Sequence, residues 1–352
     1  MEATLEKKRD SNLELFRIIT MLVIVAHHYV VNSGLMYCVQ NDYPSLKSIF
    51  LLILGWGGKT GINCFVLITG YYMCKSQITL RKGLKLLFEV LFYNTCVYLF
   101  FVIYGYTTFS IGSFFYSINP LKSISNSFIS SYLIFFCLIP FLNILIHNLS
   151  KKQHLTLLLI CLFFFSLLPN LFIEYRFNYV EWFVVLFFIG SYLRLYEPFA
   201  KFNSIKISLA FFASVIISWS SVYICSLWVS FFKWPFQHSH FMVSDSNKFL
   251  AVITAVFAFL FFKNLKIKYN RLINTIAASA FGVLLIHANS DTMRSWLWCD
   301  TLKNVENYNG NIFLHAFLSI LLVYSICTIL DFMRIRYIER PFFKLYDSFF
   351  KK

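Results

Sequence analysis

The stretch at residues 13–31, LELFRIITMLVIVAHHYVV, is an apolar run of the length that crosses a lipid bilayer as one helix. It nevertheless contains four ionisable side chains, those of Glu14, Arg17, His27 and His28. Ionisable groups are costly inside a membrane, so their presence in a spanning helix indicates a functional site. The sequence therefore predicts that this helix both spans a membrane and carries chemistry.

The spacing of these residues places three of them on one side of the helix. Arg17 and His28 are 11 residues apart, about three helical turns, so their side chains point within about 20° of each other and lie about 16 Å apart along the axis. Glu14 precedes Arg17 by one turn, where the two can form an ion pair. His27 points about 100° away from His28. The alternative interpretation is a helix end whose Arg reaches the membrane surface and whose His is bonded to a backbone carbonyl in the bundle.

The composition extends this prediction to the whole chain. Of its 352 residues, 59% are hydrophobic, 20% are aromatic and 13% are charged, a far lower charged fraction than soluble domains have. No hydrophilic block is long enough for a separate soluble domain, so the sequence predicts a single all-α transmembrane domain over residues 1–352, with a short cytoplasmic tail at 334–352. The apolar runs predict a bundle of about ten transmembrane helices: 13–31, 49–72, 86–104, 128–147, 155–172, 180–196, 207–228, 248–262, 275–296 and 312–333.

An even number of spans puts both termini on one side of the membrane, and the basic residues indicate which side. Of the 31 Lys and Arg residues, 22 lie in segments on the terminal side and six lie in the opposite loops. Because cytoplasmic segments carry the excess of positive charge, the sequence predicts that both termini are cytoplasmic. Lipid headgroups and topology then account for the net charge of +15, and no nucleic-acid partner is expected.

Three more ionisable residues are candidates for a site near the outer surface. Lys59 lies in the glycine-rich stretch GWGGKTG at 55–61, which either breaks the second span or thins it beside a cavity. Its ammonium faces that cavity or extends to the surface. His287 lies deep in the ninth span and either packs against a neighbouring helix or takes part in chemistry. Glu181, near the outer end of the sixth span, is an interfacial group or an acceptor-site carboxylate.

A basic cluster marks the start of the third span. Lys82 and Lys85 are one turn apart, and Arg81 is adjacent. Such a cluster either anchors the helix at the cytoplasmic surface or binds phosphate groups. By contrast, the nine Cys and eight His residues include no cluster with metal-ligand spacing, so no metal is expected.

Five features occur in a fixed order along the chain: Glu14 before Arg17, His28 after it, GINCFVLITGYY at 61–72, PFLN at 140–143 and FGVLLIH at 281–287. In this combination they resemble the integral-membrane family-3 acyltransferases, and the resemblance covers nearly the whole chain. Thr69 stands where that family usually has Ser. The chain also departs from the family where an RxxR pair is usual, because Lys82 and Lys85 keep the charge but lose the forked guanidinium groups.

The resemblance implies the transfer of an acyl group, usually acetyl, from cytoplasmic acetyl-CoA to a hydroxyl of an extracytoplasmic polysaccharide or its lipid-linked precursor. It also implies a multi-pass protein of the bacterial inner membrane, in contact with membrane lipids. His28 is then the general base or a transient acyl carrier, while Arg17, paired with Glu14, holds the donor. The other candidates divide by depth into phosphate-binding groups at the cytoplasmic end (Arg81, Lys82 and Lys85) and acceptor-binding groups at the outer end (Lys59, Glu181 and His287).

Two other classes of function compete with the enzyme. A transporter or flippase for lipid-linked or acylated sugars would line its path with the same polar residues. Transporters, however, often show paired halves with matching broken helices, and this chain has one glycine-broken segment. A non-catalytic membrane scaffold would leave the intramembrane Arg and His without a purpose. The sequence therefore favours the acyltransferase.

Overall fold

The computed structural model describes residues 10–121, 127–171 and 177–350, and within these ranges the chain forms helices and no strand. In chain order the first seven helices are α1 (Ser11–Val31), α2 (Leu35–Asp42), α3 (Leu46–Leu54), α4 (Gly58–Met73), α5 (Leu80–Ile103), α6 (Ile111–Ile118) and α7 (Phe128–Asn148).

The remaining helices complete the bundle and end in two helices joined by a π turn at Ile335–Glu339. They are α8 (Lys151–Leu162), α9 (Leu168–Leu171), α10 (Tyr179–Tyr196), α11 (Ser204–Phe231), α12 (Phe249–Asn264), α13 (Arg271–Ala278), α14 (Ala280–His287), α15 (Asp291–Ser295), α16 (Ile312–Arg334) and α17 (Arg340–Phe350).

The predicted all-α membrane bundle is confirmed. Among the described residues, eight helical segments are long and apolar enough to cross a membrane. Each of the other two predicted spans has a distinct form. The eighth is the 16-residue helix α12, and the ninth is a broken element, in which 271–287 meets 291–301 at an angle of 98°.

Short polar side chains determine where many of these helices begin. A hydroxyl or amide oxygen just before the helix accepts a hydrogen bond from a backbone N–H of the first turn, which otherwise lacks a partner. This capping occurs at Ser45, Thr79, Ser110, Ser127, Ser150, Asn178, Asn203, Asn270, Ser290 and Asn311. The residues that precede these helices therefore help to determine where each helix begins.

The glycine-rich stretch of the second span has both predicted effects. A single 3₁₀ turn at Gly55–Gly57 interrupts the helix between α3 and α4. The missing side chains also let α1 approach, because a Cβ added at Gly57 would lie 2.2 Å from Val23 and one at Gly58 would lie 2.3 Å from the His27 ring. A larger residue at either position would therefore force the side chain of Val23 or His27 to move.

Contacts between distant segments bring both ends of the described chain to the same end of the bundle. The start of α1 meets the end of α4 through the Tyr72 hydroxyl, which donates to Asp10 at 3.1 Å. Near the other end of the chain, Asp347 of α17 accepts two hydrogen bonds from Arg81, at the start of α5. Both ends of the described chain therefore lie at one end of the bundle, which we call the Arg17 end; the opposite end is the His28 end.

The side of the membrane that each end faces remains a prediction from the distribution of Lys and Arg. Seven of the residues in that count lie outside the described ranges, and they are Lys7, Lys8, Arg9, Lys122, Arg176, Lys351 and Lys352.

The predicted C-terminal tail continues as helix through its described part, up to Phe350. It packs against α5, where the rings of Phe88 and Phe342 stack with centroids 4.7 Å apart. A buried ion network reinforces this packing, since Arg334 contacts Glu89 at 3.0 Å and Glu339 at 2.7 Å. The tail is therefore an integral part of the bundle.

The same network reaches α14. Arg334 also contacts Asp331 at 2.9 Å, and Asp331 accepts a hydrogen bond from the Tyr93 hydroxyl at 2.8 Å. A Cβ added at Gly282 of α14 would lie 2.2 Å from the Asp331 carboxylate. Close packing at Gly282 thus positions α14, the helix that ends at His287, against α16.

Candidate active site

A pair of histidines joins α1 to α14 at the His28 end. Nδ1 of His28 lies 2.9 Å from Nε2 of His287. His287 is fully buried, while His28 retains partial exposure. The sequence indicates both as intramembrane imidazoles, and the structure brings them into direct contact.

The hydrogen bonds of His287 assign the protons of the pair. Nδ1 of His287 lies 2.6 Å from the carbonyl oxygen of Val283, one turn earlier. A carbonyl can only accept, so this nitrogen is the donor, and Nε2 of neutral His287 is an acceptor. Nδ1 of His28 then donates to His287, which leaves a lone pair on Nε2 of His28. Within the described part of the chain, that nitrogen has no hydrogen-bond partner.

A cavity of about 670 Å³ lies against this pair. Helix ends enclose it, because the last turn of α1, the first turns of α4, α7 and α10, the short helix α6 and the 98° break after α14 all contribute to its wall. His28, Lys59, Tyr179 and Arg294 are among its lining side chains. The break after α14 thus opens the space in which His28 can meet a substrate.

Lys59 faces this cavity, as one of its two predicted alternatives states. Its ammonium donates to the Tyr179 hydroxyl at 2.7 Å and lies 5.3 Å from the centre of the same ring. Sequence reasoning missed Tyr179, which carries no sequence signal because it is one of many aromatic residues at helix ends. The sequence-based prediction assigns no role to Arg294 either, although an Arg within a predicted span is itself a signal of function.

His27 bonds to the backbone, whereas His28 bonds to the side chain of His287. Nδ1 of His27 lies 2.6 Å from the carbonyl oxygen of Gly55, in the 3₁₀ turn before α4. His27 also lines the cavity, and the centres of the two rings are 5.7 Å apart. The helical offset of about 100° thus directs the two imidazoles to different partners around one cavity.

The predicted ion pair in α1 is present at the Arg17 end. Arg17 donates to the two carboxylate oxygens of Glu14 at 3.0 and 3.2 Å. Its guanidinium also lies 5.8 Å from the centre of the Tyr72 ring. About a quarter of the Arg17 side chain is exposed, whereas that of Glu14 is buried, so the pair presents its cationic partner to the surface.

Aromatic rings occupy the depth between the Arg17 end and the cavity. The ring of Phe65, part of the cavity wall, lies 6.1 Å from each of the rings of Tyr132 and Phe281. Tyr132 and Phe281 lie 5.7 Å apart. Phe281 precedes His287 by six residues, or about 9 Å of helix. We call these three residues the aromatic cluster; it meets the cavity through Phe65.

The predicted phosphate-binding cluster is largely engaged by the C-terminal helices. Arg81 forms two hydrogen bonds with Asp347, at 2.8 and 3.0 Å, and Lys85 contacts Glu339 at 2.7 Å. Lys82 instead donates to Ser76 and to the Gln77 carbonyl, both at 2.7 Å. Of the three, only Lys82 has no carboxylate partner in the described ranges. A phosphate role for the cluster stays a prediction.

Glu181 lies outside the cavity. It is exposed in the first turn of α10, and the cavity wall is formed by Tyr179, two residues earlier. This location fits the interfacial alternative for Glu181, and a role in acceptor binding stays a prediction. In the described ranges, no group of three or more His, Cys, Asp or Glu residues could hold a metal ion.

The fold and the cavity define a multi-pass membrane protein with a pair of histidines beside a cavity at the His28 end. A family model described as an acyltransferase domain matches residues 10–332, nearly the whole chain, and the protein therefore belongs to the family-3 acyltransferases. No curated protein and no solved structure matches the chain. Family membership favours acyl transfer over the transporter alternative.

Proposed function

We propose that the protein is a membrane O-acyltransferase that moves an acyl group, acetyl by preference, from cytoplasmic acyl-CoA to a hydroxyl of an extracytoplasmic polysaccharide or its lipid-linked precursor. The observation that carries this proposal is the hydrogen bond from His28 to His287 at the wall of the cavity. It leaves Nε2 of His28 as a base in a space that a substrate can enter. The family match supports the acyl-transfer chemistry.

The reaction follows from this lone pair. Nε2 of His28 takes the proton of the acceptor hydroxyl while the hydroxyl oxygen attacks the thioester carbonyl carbon. The carbon–sulfur bond then breaks, the acyl group stays on the acceptor oxygen, and His28 passes the proton to the CoA sulfur. His287 holds His28 in the required tautomer and accepts the hydrogen bond of the imidazolium that forms in between.

A second route uses the same nitrogen as a nucleophile. Nε2 of His28 would then carry the acyl group transiently, and the acceptor would attack the acyl-imidazole. Rapid quenching after mixing with labelled acetyl-CoA alone distinguishes the routes, because only the covalent route leaves label on the protein.

In this proposal, the charge of the CoA phosphates determines where the donor binds. Burying the CoA phosphates in hydrocarbon is prohibitive without partners, so the nucleotide stays at the Arg17 end, with Arg17 and Lys82 as its cationic contacts. The pantetheine arm is slender and uncharged, and it spans the rise of about 16 Å between Arg17 and His28. Along this path the arm must pass the aromatic cluster, whose side chains have to move to admit it.

The proposal is tested on cells that lack the gene and are restored with variants. Proton NMR of the purified surface polysaccharide should show O-acetyl methyl signals with the wild type and none with His28→Ala. His147→Ala is the matched control, since His147 is exposed at the Arg17 end and bonds only to its own helix in the described structure. Equal signals from both variants, at equal protein levels, contradict the proposal.

A further inference from the structure

Lys59 is a partly buried cation that the proposed mechanism does not use. Its ammonium lies beside the cavity, and its one hydrogen bond in the described structure is to the neutral hydroxyl of Tyr179, at 2.7 Å. The carboxylate of Asp245 attracts this ammonium electrostatically, but from beyond the distance of an ion pair. A charge held at this depth without a carboxylate partner is unusual, because intramembrane cations normally pair with anions or face a functional pathway.

The rest of the cavity wall does not neutralise this charge. Among its described lining residues, the other formally charged side chains are Arg294 and Asp291, which contact each other. The Asp291 side chain is 97% exposed, so its charge is directed to solvent and to Arg294. The cavity therefore keeps an excess positive charge, centred on Lys59 and next to His28.

We propose that the acceptor is an anionic glycan, and that Lys59 binds a carboxylate or phosphate group close to the hydroxyl that is acylated. This inference rests on the proposed function and names the substrate class of the same cavity. Tyr179 positions the ammonium, and Arg294 supplies a second cationic contact at the rim. An anion bound here would give Lys59 the anionic partner that it lacks among the described residues and would fix the hydroxyl relative to Nε2 of His28.

The proposal differs from one in which Lys59 stabilises the oxyanion of the reacting thioester. A group that stabilises the transition state lowers kcat for every acceptor when it is removed, whereas a group that binds the substrate anion raises KM for charged acceptors only. The two roles therefore make different predictions for neutral acceptors.

The test uses three tetrasaccharides of equal length: a neutral glucan, the same glucan with one glucuronic acid, and the same glucan with one phosphate monoester. CoA release in nanodiscs gives kcat and KM for each acceptor. The wild type should prefer one or both charged acceptors by about 10- to 100-fold in kcat/KM. Lys59→Gln should reduce this preference to near one through KM, while Lys303→Gln should preserve it, because Lys303 is exposed and pairs with Glu306.

The charged tetrasaccharide that gives the larger preference shows whether Lys59 binds a carboxylate or a phosphate group. Absence of any charge preference in the wild type refutes the inference, as does an equal loss of kcat on all three acceptors in Lys59→Gln.

A binding measurement separates this inference from the proposed function. Fluorescent forms of the same tetrasaccharides are titrated against His28→Ala protein, which cannot use this base, with and without Lys59→Gln. Charge-selective binding that requires Lys59 supports the inference even when the wild type transfers no acyl group, an outcome that would refute the proposed function alone. Acyl transfer together with binding that ignores charge refutes the inference alone.

Discussion

His287 is proposed to act through His28, and its replacement should separate positioning from folding. His287→Leu removes the acceptor at 2.9 Å and leaves the Nδ1–H of His28 without that partner at a partly buried position. An unsatisfied buried donor costs about 1–3 kcal/mol, and loss of a positioned general base costs about 10²–10⁴-fold in rate. Because His28 itself remains, we expect kcat to fall by about 10²-fold, near the lower bound of this range. The KM for each substrate should change by less than about three-fold, because His287 contacts neither substrate in the proposed mechanism.

The conservative variant makes the test specific. His287→Gln places an amide oxygen where it can accept from Nδ1 of His28, so it should restore kcat to within about ten-fold of the wild type. Initial rates of CoA release in proteoliposomes measure both variants, and thermal unfolding checks that both are folded. The reasoning is refuted if His287→Gln is as impaired as His287→Leu while both unfold at the wild-type temperature, or if the loss lies in KM.

Three further predictions follow from packing, charge and topology. Gly58→Ala should destabilise the protein by about 1–3 kcal/mol, seen as a lower Tm, because its Cβ would overlap the His27 ring, 2.3 Å away; an unchanged Tm would exclude this close contact. Arg17→Lys should raise KM for acetyl-CoA about ten-fold and leave KM for the acceptor unchanged, because the forked contact is lost; the reverse pattern in steady-state kinetics would place Arg17 on the acceptor side. In a background without the native cysteines, an impermeant maleimide added to intact cells should label Lys303→Cys and spare Ser348→Cys, since both positions are exposed at opposite ends of the bundle; label at Ser348→Cys would reverse the orientation.

Features that depend on local helix geometry could be predicted from the sequence. Glu14 and Arg17 are three residues apart on one helix, so their ion pair requires only that the helix forms. The apolar runs likewise predicted the spans, because bilayer thickness fixes their length. Helix α12 is the exception in length, having 16 residues.

Features that depend on packing between distant segments could not be predicted. His28 and His287 are 259 residues apart, and their contact requires α14 to lie against α1, which no local pattern encodes. The pairing of Lys85 with Glu339 is similar, since its partner lies beyond the last predicted span. The break after His287 did have a local signal: Ser290 caps α15 through the backbone N–H of Met293, although the apolar run at 275–296 reads as one continuous span.

The separation of the two ends of α1 provides a physical reason for the proposed reaction to occur inside the membrane. Both substrates carry charge in the proposed mechanism, CoA on its phosphates and the acceptor on its anion, and neither charge can enter hydrocarbon unpaired. Arg17 at one end of the bundle and Lys59 beside the cavity at the other would hold these charges, while only the uncharged arm of the donor passes between them. The aromatic cluster at intermediate depth suits this division, because three packed rings exclude water and ions yet can move aside for a slender chain. A whole glycan would need a far wider opening at the same place. The arrangement therefore favours transfer of an acyl group across the membrane over transport of the sugar that receives it.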